Sequence, residues 1–335
     1  MSDQLSLFEP PDDDASRERR ATFDTLERRR AAAATVAARL PAAVAFGTSS
    51  WTFPGWAGLV YPPGLSPTAL AREGLAHYAR HPLLTTVGVD RTYYAPIGVE
   101  DLRHYAAQLP VGFRCCFKAP AAVTSRLTPS FGAARNSHTD NPGFLSIERL
   151  VTDLLEPLAA AFLPHTGPIV LEFPPGSRDP RQAPAVFIEA LDRFLEALPR
   201  QFDYAVELRD AALLTPAYRE VLARHGVAHT YNYWSAMPMP LAQAAVVPPD
   251  TSDIAVVRLL LRPGTWYEQQ RDRFKPFNRL VEPDEPMRDE VVRLTAAALR
   301  RGRRVYVLVN NKAEGSSPLT VEALAARLAD ALDGG

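Results

Sequence analysis

The sequence predicts a (β/α)8 barrel of the TIM type, on three observations. Short, nearly continuous apolar runs recur eight times after residue 43, as expected of strands buried on both faces in a parallel sheet. Longer amphipathic stretches separate most of them, which supplies the crossovers that parallel strands need. The third observation is the run Asp203–Asp210, DYAVELRD. Tyr204, Val206 and Leu208 share one face of it, while Ala205, Glu207 and Arg209 share the other. An apolar outer face with a charged inner end suits a barrel strand, covered by helices on one side and opening into a mouth on the other. An ordinary buried ion pair closing a strand explains the same letters. An open doubly wound sheet is the competing architecture, but no Gly-rich first turn supports it.

The elements follow in order. Residues 1–15 lack periodicity and run through Pro10, Pro11 and three aspartates, which predicts a flexible tail. Residues 16–40 read as a helix with Ser16 as its cap, a thin apolar stripe and Pro41 as its stop. Arg28, Arg29 and Arg30 within it suit either a solvated face or a phosphate backbone, and the solvated face is favoured. Residues 41–335 are assigned to the barrel. The expected strands are Val44–Thr48, Thr85–Asp90, Phe113–Lys118, Pro168–Phe173, Tyr204–Arg209, Ala228–Asn232, Ile254–Leu261 and Arg304–Asn310. Helical patterns cover Thr68–Ala79, Ile147–Ala161, Pro184–Ala197, Pro216–His225, Met287–Arg301 and Thr320–Leu332. The segment from Arg262 to Pro286 reads as a long loop with interleaved basic and aromatic residues, suited to nucleic acid or to plain solvation.

Composition narrows the function. A formal net charge of −1 opposes a broad basic nucleic-acid surface. Two adjacent cysteines, Cys115 and Cys116, are poor disulfide partners, so a reduced, cytoplasmic protein is expected. No apolar run is long enough for a membrane span, and the first residues do not form a secretory signal. The seven histidines are scattered without metal-binding spacing, so no metal site is expected. Either cysteine would sit mid-strand with no evident histidine partner, which weakens nucleophilic catalysis there.

Two resemblances add to this reading. Gln4-Leu5-Ser6-Leu7-Phe8 resembles the bacterial sliding-clamp-binding motif at all five positions. The resemblance implies a clamp partner, with Leu7 and Phe8 as buried anchors and Gln4 and Leu5 completing the contact. The barrel segments resemble the YecE-like proteins, a family built around a domain of unknown function. They are Gly47-Thr48-Ser49-Ser50-Trp51 with Trp56 and Tyr61-Pro62, then Phe117-Lys118, Phe173-Pro174-Pro175, Glu207-Leu208-Arg209, and Asn310-Asn311 with Gly315 and Pro318. That resemblance implies a β/α barrel and leaves the activity open. The sequence departs from the family pattern at Gly88, where a Glu is usual, and at Asp90, where an Asn is usual. It departs again at Glu172 for Gln, at Leu260-Leu261 for His-Gly after Arg258, and at Ser316-Ser317, where a His often occurs.

In a β/α barrel, functional groups gather at the C-terminal strand ends. Those ends supply Asp90, Glu172, Glu207 and Arg209 as candidate catalytic residues. Lys118, Arg258, Asn310 and Asn311 are candidate substrate ligands, with Trp51, Tyr94 and Trp234 as a stacking wall. Three acids against three bases suit an anion-tolerant polar site better than a carboxylate cage for a divalent cation. Three functions fit: an enzyme acting on a phosphorylated or sugar-containing substrate, a non-catalytic binding module, or a charge network that only keeps the mouth open. Joined to the clamp motif, the first becomes a DNA-maintenance factor that binds or hydrolyses a phosphodiester or nucleotide. A carbohydrate enzyme with an accidental tail motif is the alternative.

Overall fold

A computed structural model describes residues 14–129, 139–175 and 183–334. The pentapeptide Gln4–Phe8 lies outside the described residues. Eight strands form a closed, all-parallel barrel in sequence order. They are β1 (Val44–Thr48), β2 (Thr86–Val89), β3 (Arg114–Lys118), β4 (Thr166–Phe173), β5 (Tyr204–Leu208), β6 (Ala228–Tyr233), β7 (Ile254–Leu259) and β8 (Arg304–Val309). Closure between β1 and β8 pairs Val44 with Val305 through to Thr48 with Val309. At Gly47 the β1–β2 contact is so close that a Cβ would stand 2.0 Å from the Thr86 carbonyl oxygen. Only glycine permits that register.

Side-chain alternation divides each strand between two cores. Outward residues such as Phe46, Val87, Phe117, Leu171, Val206, Tyr231, Val257 and Val307 join one large shell beneath the helices. Inward residues Cys116, Ala205, Ala228, Ile254, Val256, Tyr306 and Leu308 form a second, smaller cluster inside the barrel. The two cysteines therefore face opposite ways, Cys115 towards the helices and Cys116 inwards, and both are free thiols.

The proline-rich composition is used at helix starts. Pro67, Pro184, Pro216 and Pro240 each open a helix, where the missing N–H has no intrahelical partner to lose. Side-chain caps fix two of these ends and the start of the helix Glu285–Arg300. Ser66 accepts from the Ala69 amide at 3.1 Å, Thr215 from Tyr218 at 3.2 Å and Asp284 from Met287 at 3.0 Å. The run predicted over Ile147–Ala161 is helical throughout but contains a π turn at Val151–Leu155. Pro157 follows that turn and removes one donor from the regular ladder. The segment expected as a loop between Arg262 and Pro286 carries a helix, Tyr267–Phe274.

The N-terminal helix, predicted over residues 16–40, runs Asp14–Ala37. Leu26 and Ala33 are buried under it. Arg39 bonds Asp330 and Asp333 at 2.7 Å near the end of the last helix, Ser317–Asp333. Arg30 reaches the Val60 carbonyl at 3.3 Å, and Thr22 stands over Gly58, both in the loop after β1. The helix thus climbs, towards its own N-terminus, from the bottom of the barrel to the mouth end. Of the three consecutive arginines, Arg29 pairs with Glu322 at 3.2 Å and Arg30 with Glu27 at 2.8 Å. Their charge is spent within the protein. Among the described residues, no helix is long and apolar enough to cross a membrane.

Candidate functional site

The C-terminal strand ends bring six charged side chains into one cluster. Glu172 on β4 and Glu207 on β5 are direct neighbours across the strand pair, so two like charges stand side by side. That placement is destabilising unless cations are shared between them. Arg209, just past β5, puts Nη2 at 2.7 Å from Glu172 Oε2 and 2.6 Å from Glu207 Oε1. The first contact is a directed hydrogen bond; the second is charge proximity, because Glu207 Oε1 has no aligned donor. Arg258 on β7 touches all three carboxylates. Its Nη1 bonds Glu207 Oε2 and lies 3.4 Å from Glu172 Oε2, and its Nη2 donates to Asp90 at 3.0 and 3.2 Å. Lys118, at the end of β3, completes the set at 2.8 Å from Glu172. Arg258 and Glu172 are therefore the two hubs.

Burial makes the arrangement costly to disturb. Glu207 is 0% exposed and Arg258 2%, while Asp90 keeps about a third of its side chain open. Burial alone would raise the Glu172 carboxyl, but Arg209, Lys118 and Arg258 outweigh it and hold it far below the usual carboxylate range. Arg258 is likewise held as a cation: burial opposes its charge, and Glu207, Asp90 and Glu172 more than restore it. Two aromatic faces back the cations. Lys118 Nζ lies 3.6 Å from the Tyr93 ring centroid, and the Arg209 guanidinium 4.1 Å from that of Trp234. The Nε groups of Arg209 and Arg258 are buried donors without a partner.

Backbone ties hold the strand ends at this height. Thr92, in the turn Asp90–Tyr93, donates to the Lys118 carbonyl at 2.6 Å. Asn232 on β6 donates to the Leu208 carbonyl at 2.6 Å. A Cβ at Gly88 would meet the Ser49 Cα at 3.2 Å. A side chain at that position would require the Ser49 backbone to give by a few tenths of an ångström.

The sequence-derived candidates divide accordingly. Asp90, Lys118, Glu172, Glu207, Arg209 and Arg258 converge. Asn310 stands beside them, its side chain accepting from the Lys312 amide at 3.1 Å. Asn311 does other work: its Oδ1 accepts from Trp56 Nε1 at 3.2 Å and from both the amide and hydroxyl of Ser317 at 2.8 Å. It locks the last helix to the loop after β1. Trp51, expected in a stacking wall, is 5% exposed and packs edge-on against Tyr105 at 5.1 Å, so it belongs to the core. Tyr94 is 59% exposed and meets Tyr93 edge-on. His229 is a satisfied core residue between Tyr218 and Gln243, and burial lowers its pKa to about 4.

Lys312 was not among the sequence candidates. It follows Asn310-Asn311 after β8, with Nζ 4.5 Å from the Tyr267 ring centroid. Among the described residues, no carboxylate oxygen comes within ion-pair distance of it. Burial lowers its pKa to about 8, with Arg271 adding to the shift and Asp90 opposing it. Its chemical signal is its place immediately beyond the last strand, and its side-chain environment is visible only in the fold. Among the described residues, no group of three or more metal-ligating side chains stands together.

A family model described as a protein of unknown function, DUF72, matches residues 45–334. A curated relative, the UPF0759 protein YecE of Escherichia coli K12, is 28% identical over 184 residues, 54% of each chain. The chain thus spans about half the length of the curated relatives it matches. Among solved structures, a DUF72 family protein from Enterococcus faecalis aligns with a TM-score of 0.58 at 15% identity, covering 86% of this chain and 95% of that one. Another from Thermotoga maritima aligns with a TM-score of 0.55 at 20% identity, covering 87% and 99%. These identities speak for the barrel alone. The chain belongs to the DUF72 family.

Proposed function

We propose that the barrel mouth binds a phosphate-containing substrate, a nucleotide or a segment of nucleic acid, and supports cleavage of its ester. The observation that carries this reading is the cation set at the strand ends. Lys118, Arg209 and Arg258 match Glu172, Glu207 and Asp90 in charge, and Lys312 stands beyond them with no carboxylate in ion-pair contact. Among the described residues, the site therefore has one more basic side chain than its own carboxylates bond. Donors fixed in advance of reaction are what a developing phosphate charge requires. Glu172 and Glu207 both lie against the guanidinium groups, so their role is to position Arg209 and Arg258. Asp90, with an open edge, is the carboxylate suited to take a proton.

The experiment is calorimetric titration of a phosphate monoester, a nucleotide and the matching unphosphorylated sugars, with wild type and Arg209→Gln. Loss of a charge-assisted hydrogen bond should weaken phosphate binding by about 10- to 100-fold while circular dichroism stays unchanged. Equal affinity for phosphorylated and unphosphorylated partners sinks the reading and returns the neutral-sugar enzyme to first place.

A second element of the proposal is delivery by a sliding clamp. It rests on the complete Gln4–Phe8 pentapeptide, and on the helix that follows it, which begins at the mouth end of the barrel. Micromolar-range binding to the cognate clamp, lost in Leu7→Ala/Phe8→Ala, is the expected result. Unchanged binding in the double variant removes the clamp from the account.

A further inference from the structure

Only three of the 37 basic residues in this chain are lysines: Lys118, Lys275 and Lys312. Most surface ion pairs use arginine instead, as in Arg29–Glu322, Arg39–Asp330 and Arg327–Asp289 at the N-terminal and last helices. Two of the three lysines nevertheless stand at the barrel mouth. The third, Lys275, is exposed and loosely paired with Asp272 at 3.4 Å. Arginine cannot lose its proton in a protein, so it is no substitute where an amine must act as a base or nucleophile.

The two mouth lysines differ in their surroundings. Lys118 is ion-paired with Glu172 at 2.8 Å and faces the Tyr93 ring at 3.6 Å. Lys312 also faces a ring, Tyr267 at 4.5 Å, but among the described residues no carboxylate pairs with it. The charged and titratable groups that act on its amine are Asp90, Arg271 and Tyr267. Asp90 is already turned onto Arg258, with both oxygens engaged. Arg271 repels the ammonium form, and the Tyr267 ring covers one side of the amine.

We propose that Lys312 is a nucleophilic lysine that forms an imine with an aldehyde or ketone carrying a phosphate group. The proposal deepens the phosphate-binding reading and rests on it for the anionic handle, which the neighbouring cations would hold. The neutral Nζ donates its lone pair to the carbonyl carbon; a C–N bond forms and the carbonyl electron pair moves to oxygen. That oxygen is protonated and leaves as water, and the nitrogen gives up its remaining proton as the C=N bond closes. No oxidant or reductant is needed. A pKa lowered to about 8 leaves far more of Lys312 neutral near physiological pH than an ordinary lysine, whose pKa is about 10.4.

The test uses pyridoxal 5′-phosphate and pyridoxal as probes, each trapped on the full-length protein with borohydride and mapped by peptide mass spectrometry. Three lysines make the map unambiguous. The expected result is an adduct at Lys312 forming at least about tenfold faster than at Lys275, and accelerating as pH rises through about 8. Lys312→Arg keeps the charge and should lose that adduct. Equal rates at Lys312 and Lys275, or modification at Lys118 instead, overturns the inference. Pyridoxal reacting at Lys312 as fast as its phosphate leaves the imine standing and removes the phosphate handle, so the two readings fail separately.

Discussion

The inner face of the barrel has two layers built on the same strands, and they have opposite chemistry. The lower layer holds Cys116, Ala205 and Val256; the upper layer, two residues further along each strand, holds Lys118, Glu207 and Arg258. Period-2 geometry puts both sets on one face, so backbone position alone does not distinguish them. What differs is the neighbourhood. The lower residues pack together as an apolar cluster, with the Thr86 hydroxyl 3.6 Å from Cys116 Sγ, whereas each upper residue meets at least one opposite charge. The lower layer closes the barrel by packing. The upper layer is held apart by charges that would cost more buried singly than they do together.

Replacing one residue in each layer separates these roles. Arg258→Leu removes the hub that touches Asp90, Glu172 and Glu207, and leaves adjacent carboxylates buried with too few cations. It should cost roughly 3–5 kcal/mol in denaturant unfolding. The variant should also change the response to acid. In the wild type the depressed Glu172 pKa adds stability that is complete above the ordinary glutamate value of about 4.3 and is lost as pH falls through the lower folded value. Without Arg258 that depression shrinks, so stability should vary less between neutral pH and pH of about 3. As the control, Val256→Ala opens a small cavity one layer down and should cost about 2 kcal/mol, with the acid response unchanged. If the two variants share one pH profile, the layers are not the distinct devices described.

The sequence made the lower layer and the strands easy to read, and the upper layer only partly so. A strand buried on both faces leaves a continuous apolar run, so all eight were found within about two residues of their observed limits. The charged members of the upper layer were found because they still obey the alternation of their strands. Beyond the strand ends that rule lapses. Trp51 lies three residues past β1, where no periodicity says that its ring turns back into the core. Asn311 fits the family resemblance, yet its side chain caps the last helix. Lys312 was passed over because its environment is made by Tyr267, Asp90 and Arg271, which come from distant segments. The helix Tyr267–Phe274 gives no helical signal in the sequence, because YEQQRDRF has no apolar stripe. Contacts made by loops are tertiary information, and a functional site at a barrel mouth is built mostly of them.

The smallest effect tests the boundary of the upper layer. Asp90 sits at the rim, with its side chain about a third exposed, and Arg258 would still be held by Glu207 and Glu172 if Asp90 lost its charge. Asp90→Asn should therefore cost less than about 1 kcal/mol of stability, since water screens a partly open pair. Its consequence for Lys312 should be larger than its consequence for the fold. Asp90 is the negative charge that favours the Lys312 ammonium, against burial and Arg271. Removing it should move the Lys312 titration below about 8, and increase the neutral amine at a given pH. The pH at which the amine becomes reactive reads that shift directly. A downward move with nearly unchanged stability places Asp90 in the working part of the mouth; a large loss of stability with no move would make it another brace of the buried network.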